Sequence, residues 1–149
     1  MMLKGSKGKY LAIIIILCFG TLIFLFGCFV RVKVDTPLKH RIIEVVEESQ
    51  MIDFRELTNF NWDEMYVFMP YANPKDILKK DGIKVGLGDF SIELLDTIIM
   101  IGFVGEKRLI TYVELPIDIK KEEFNQTVKK YTREEGKFVI TQDYKIIFH

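Results

Sequence analysis

Cysteine is almost missing from this chain: its 149 residues hold two, Cys18 and Cys28, and both fall inside one apolar run. Everything beyond residue 30 lacks the thiol, so its fold must stand without disulfides or thiolate-bound metal. Histidine is equally scarce. His40 and His149 are far apart in sequence and have no ligand spacing, so neither a metal centre nor a bound cofactor is expected. Past residue 30 the only serines are Ser49 and Ser91. Neither sits in a nucleophile-elbow context or has a suitably placed base, which argues against serine-type acyl transfer. A basic excess is missing too. Residues 1–34 carry five basic groups and no acid, which leaves 16 basic against 21 acidic groups in residues 35–149. A domain with a net charge of −5 is a poor nucleic-acid binder, since a basic face is the electrostatic footprint of such binding. Internal repeats and low-complexity tracts are also lacking.

What the chain does have is residues 11–30, LAIIIILCFGTLIFLFGCFV, twenty residues without a charge. As a helix they reach about 30 Å, the thickness of a bilayer's hydrocarbon core. Fourteen are Leu, Ile, Phe or Val, and together these favour insertion by about 4–8 kcal/mol. A soluble core helix rarely stays apolar on every face, so the segment is expected to enter a membrane. Two readings of its fate stay open. Lys4, Lys7 and Lys9 before it suit an uncleaved single-pass signal-anchor, the favoured reading, as well as the basic start of a signal peptide. Leu25-Phe26-Gly27-Cys28 is similar to a bacterial lipobox, which makes Cys28 the candidate lipidation site; Phe26 is bulkier than that pattern prefers, and the apolar run continues past it. Arg31, Lys33, Lys39 and Arg41 follow closely, so the positive-inside count does not decide orientation. The short tail and the lipobox favour an outward-facing domain.

The expected division is a basic tail over residues 1–10, the anchor or signal segment over 11–30, a linker over 31–36 and one domain over 37–149. Thr36 and Pro37 read as N-cap and first helical residue. Ile42, Val45 and Val46 then recur at helical spacing, opposite Glu44, Glu47 and Glu48, which predicts an amphipathic helix over 37–50. Residues 65–69 read as a strand buried on both faces. Asn73-Pro74-Lys75-Asp76 predicts a short helix with Asn73 as cap, closed by Gly82 in a left-handed conformation. Residues 83–87 suggest a short strand. Residues 97–104 and 109–115 predict a hairpin about a polar loop at 105–108, stopped by Pro116. Residues 117–136 read as loosely helical, with a capping box at Thr132 and Glu135, and residues 137–141 with 144–148 read as a closing hairpin. The expected fold class is α+β, one antiparallel sheet of four to six strands with helices on one face, preceded by an N-terminal transmembrane helix.

Trp62-Asp63-Glu64-Met65-Tyr66-Val67-Phe68-Met69-Pro70-Tyr71, followed by Asn73-Pro74, resembles a motif of uncharacterised membrane-anchored or lipoprotein-type proteins of Gram-positive bacteria. The similarity extends loosely through the 97–115 hairpin, and Met69 stands where a smaller residue is usual. The resemblance implies an N-terminal anchor, an outward domain and no particular activity, so it assigns no functional residue.

Other motifs reduce to structure. Gly82-Ile83-Lys84-Val85-Gly86-Leu87-Gly88-Asp89 lacks the glycine pattern and the lysine-serine pair of a phosphate loop and reads as turn chemistry. Asp89, Glu93 and Asp96, or Asp63 beside Trp62, offer carboxylates for a wall hydrolase, although adjacent acids are common. The aromatic stretch offers Trp62, Tyr66 and Tyr71 as a candidate partner surface, with core packing as the competing role. The expectation is therefore a membrane-tethered, non-catalytic binding or accessory domain of the cell envelope, whose partners are the lipid bilayer and another envelope protein or peptide. An immunity-type protein against a toxin is the alternative, followed by a small carboxylate-dependent hydrolase.

Overall fold

The computed structural model describes residues 14–18, 20, 31–121 and 126–149. Most of the apolar run, and Cys28 with it, lies outside the described residues. Within it, residues 14–18 and 20 are helical, with Ile14 to Leu17 exposed. Among the described residues no helix is long and apolar enough to cross a membrane. The chain divides into two units, Met1–Arg31 and Val32–His149, and the second holds every sheet.

That second unit is α+β. Helix α1, Thr36–Glu48, buries Leu38, Ile42 and Val46 at four-residue spacing and turns its glutamates outward. Its cap is Asp35, one residue before the expected Thr36: the Asp35 carboxylate accepts from the Leu38 N–H at 2.8 Å. A carboxylate there also meets the positive end of the helix dipole. Strand β1, Met51–Asp53, leads into a single helical turn, α2, Phe54–Leu57. Strand β2, Glu64–Phe68, is followed by helix α3, Pro74–Lys80, capped by Asn73 and closed by Gly82 at φ 76° as its sequence predicts. Strands β3, Ile98–Gly105, and β4, Arg108–Pro116, make the expected hairpin. Its loop is tighter than expected. Glu106 and Lys107 both take positive φ, the conformation a two-residue type I′ turn requires.

Residues 117–136 depart from the helical reading. After a 3-10 turn at Ile117–Ile119 the chain forms strand β5, Val128–Thr132, and only then the 3-10 turn Arg133–Glu135 with its predicted capping box. Lysines on β5 hide its strand character, because its only buried residue is Tyr131. Strands β6, Lys137–Ile140, and β7, Ile146–Ile147, close the chain as the expected antiparallel pair.

Among the described residues there are two antiparallel sheets where one was expected, one of four strands ordered β4-β3-β2-β5 and one of three ordered β1-β6-β7. The central sheet is covered on both faces, as the apolar run in β2 requires. Met65 and Val67 meet α1 and the small sheet in one core with Phe103, Phe138 and Phe148. Tyr66 and Phe68 point the other way, into a second core with Leu78, Phe90, Ile92 and Tyr112. Residues read as a linker line the free side of β4. The Asp35 N–H donates to the Tyr112 carbonyl (2.8 Å), and the Thr111 hydroxyl donates to the Lys33 carbonyl (2.9 Å). Lys84, expected in a short strand, makes only an isolated bridge to Arg108.

Candidate functional site

The layer built on the second core carries the surface features. At the end of β2, Met69, Pro70, Tyr71 and Ala72 form a turn closed by the Ala72 N–H on the Met69 carbonyl (3.1 Å). Pro70 sets the second position. Tyr71 occupies the third, where a type II turn demands positive φ and normally takes glycine. Tyr71 adopts φ 63° with its side chain 65% exposed, and its N–H donates to the Ile92 carbonyl at 2.8 Å. A bulky side chain held in this region costs about 1–2 kcal/mol and is a feature of functional positions. Its hydrogen-bond partner Ile92 belongs to the 3-10 turn Ser91–Glu93. Phe90 packs edge-on against Tyr112 and Ile92 is buried, so the chain that follows leaves Leu94 82% and Leu95 42% exposed. An exposed aromatic ring and two exposed leucines thus stand on turns joined by a backbone hydrogen bond.

Beside it, α3 and the loop after Gly82 enclose an open groove of about 730 Å³. Lys75 and Lys79, one helical turn apart, line it together with Lys84 and Leu87, and Asp76 is the sole carboxylate in its wall. The loop that resembles an incomplete phosphate loop is thus one side of a cationic groove. Lys75 lies 3.9 Å from Asp89, whereas Lys79 and Lys84 make no ion pair among the described residues.

The three aromatic candidates separate. Trp62 is 1% exposed. Its Nε1–H donates to the Thr58 hydroxyl (3.0 Å), its ring meets Phe103 edge-on, and the Arg133 guanidinium lies over it at 5.2 Å. Tyr66 is equally buried, and its hydroxyl donates to the Asp81 carboxylate at 2.8 Å, tying β2 to the end of α3. Burial, then the hydrogen bond to Asp81 and the Glu64 charge, push the Tyr66 phenol far above its ordinary value. It therefore stays protonated at neutral pH. Both residues leave the candidate partner surface: strand alternation sends Tyr66 into the second core, while Trp62, ahead of β2, packs into the first. Tyr71 remains on it.

The candidate acids are engaged structurally or stand in solvent. Asp63 accepts from the Glu106 N–H at 2.8 Å and steadies the strained β3–β4 turn. The Asp89 side chain is fully exposed, and Asp96 is exposed too. Ser49 ends α1 and Ser91 opens the 3-10 turn; among the described residues neither hydrogen-bonds to a histidine. Among the described residues no three histidine, cysteine or carboxylate groups gather as a metal site would need. Leu94 and Leu95 carry no signal in the sequence that separates them from the apolar strand after them. Lys75 and Lys79, at helical spacing, were the readable half of the groove.

No protein-family model, no curated protein and no solved structure matches this chain. The site is therefore read from its own geometry.

Proposed function

We propose that this chain is a membrane-tethered α+β domain of the bacterial cell envelope, facing outward, that binds a protein or peptide partner without catalysis. Residues 11–30, uncharged over the length of a bilayer core, support the tether, either as an uncleaved span or through lipidated Cys28. The Trp62–Tyr71 motif and its resemblance to anchored proteins of Gram-positive bacteria support the compartment. The observation that carries the binding reading is Tyr71, an aromatic side chain held exposed in a left-handed turn that bonds to Ile92, two residues before the exposed Leu94. Burying such a ring against a partner is how interfaces gain most of their affinity, and nothing in the packing of the domain requires it.

Two measurements test this. The mass of the N-terminal peptide from native membranes distinguishes an intact start from a diacylglyceryl-modified Cys28, and a processed, unlipidated peptide released into the medium would remove the tether. Affinity purification of the full chain from detergent-solubilised membranes then compares the wild type with Tyr71→Ala and Leu94→Ser. Loss of a stoichiometric partner in both folded variants is expected; retention at wild-type levels refutes this surface.

A further inference from the structure

One hydrogen bond ties the loop of the cationic groove to the first residue of the folded unit. Val32, the first residue of the folded unit, is buried, and its N–H donates to the Leu87 carbonyl at 3.2 Å. Gly88 packs against the same residue, since a Cβ there would lie 3.6 Å from the Val32 carbonyl. The loop tip is thus pinned to the place where the chain enters the domain. If residue 30 ends a membrane span, Val32 follows two positions on, a reach of at most about 7 Å. If the anchor is a lipid on Cys28, the reach is at most about 14 Å. Either way that short reach keeps the loop tip near the anchor's end, and Leu87 is a large apolar side chain 56% exposed.

The charge around it has the matching sign. Lys75, Lys79 and Lys84 against Asp76 give the groove a net of +2, on a domain whose residues 35–149 sum to −5. Lys33 is exposed on one side of the loop. Lys107 and Arg108 are exposed on the other, where the Lys84 N–H donates to the Lys107 carbonyl (2.8 Å). The nearby acids are Asp89, facing Lys75, Asp81 at the end of α3, whose carboxylate is taken by the Tyr66 hydroxyl, and Asp63 and Glu106, which line a hollow with Lys84 and Arg108. A leucine tip flanked by ammonium groups is the chemistry that meets lipid head groups, with the apolar side chain in the interface and the cations on phosphate.

We propose that Leu87 and the Lys75–Lys79–Lys84 groove form a second membrane contact, binding anionic lipid head groups and fixing the attitude of the domain on the bilayer. This rests on residues 11–30 being membrane-attached, and the test separates the two.

The full chain is reconstituted into vesicles of phosphatidylcholine, with or without a minority of phosphatidylglycerol, doped with brominated lipid. Leu87→Trp reports contact by quenching. Native Trp62, being buried, supplies a constant background, and Tyr144→Trp, an exposed site in the layer beyond the other core, is the reference. Flotation after alkaline extraction reports the tether. The expected result is a floating chain in which Leu87→Trp is quenched well above Tyr144→Trp on anionic vesicles. Replacing the three lysines (Lys75→Glu, Lys79→Glu, Lys84→Glu) then lowers quenching to the reference level. A floating chain with Leu87→Trp quenched no more than the reference overturns the contact and leaves the tether standing. Equal quenching on pure phosphatidylcholine overturns the anionic-lipid assignment. A chain that fails to float overturns both.

Discussion

Alanine at Trp62 and alanine at Tyr71 should give opposite results, although both residues belong to the same aromatic stretch. Trp62 is 1% exposed and contacts Phe103, the Arg133 guanidinium and the Thr58 hydroxyl. Truncating such a side chain removes its transfer free energy and leaves a cavity, a cost of about 3–5 kcal/mol. Single domains are stable by about 5–15 kcal/mol, so the loss is a large part of the total. For a domain of this size it corresponds to a fall in Tm of about 10–25 °C. Trp62→Phe keeps most of the apolar volume and loses the indole donor, while Thr58 still donates to the Phe54 carbonyl at 2.8 Å; the cost should be about 1–2 kcal/mol. Tyr71→Ala removes a ring that lies in solvent and should change stability by less than about 0.5 kcal/mol. Thermal unfolding of the full chain in detergent, followed by circular dichroism, measures all three. A Tyr71→Ala variant as damaged as Trp62→Ala would place Tyr71 in the core and remove the proposed partner surface.

Gly136→Ala should destabilise by about 1–3 kcal/mol through overpacking, because its Cβ would lie 2.8 Å from the Trp62 ring and 3.1 Å from the Arg133 carbonyl; the same unfolding assay checks it. Tyr66 makes the domain alkali-sensitive: burial and then the bond to Asp81 hold its proton on in the folded state, while the unfolded chain releases it near pH 10. Its contribution is complete below about pH 10 and declines above it, so urea titrations should show a shallower alkaline loss in Tyr66→Phe than in the wild type. Asp53 acts at the other end. Hydrogen bonds from the Arg55 side chain and N–H hold its carboxyl below the usual range. Its contribution is present above about pH 4 and is lost as pH falls through the lowered value. Asp53→Asn keeps a helix-capping side chain and should flatten that acid limb, as acid titration of the unfolding midpoint would show.

The site divides between the legible and the illegible along a physical line. Tyr66 and Tyr71 are both tyrosines of one motif, and composition cannot separate them. Strand alternation buries Tyr66, whereas the Pro70 turn lifts Tyr71 out at φ 63°. The groove was half legible, because Lys75 and Lys79 share a helix face, but only the fold returns Lys84 and Leu87 beside them.

What the sequence by itself determined is local. The face of α1 that is buried, the cap and stop of α3, the β3–β4 hairpin and the Thr132–Glu135 capping box all follow from interactions within a few residues. Such interactions leave a pattern in the order of side chains. Tertiary structure alone decided the second sheet, in which Met51 pairs with Val139 across most of the domain's length. It also decided β5, whose lysines read as solvated chain until Tyr66 and Val67 pair with Lys130 and Lys129. It decided, too, that Val32 and Leu87 would meet. Pairings between distant segments depend on which surfaces remain to be covered once local elements have formed, and that is a property of the assembled core rather than of any stretch of sequence.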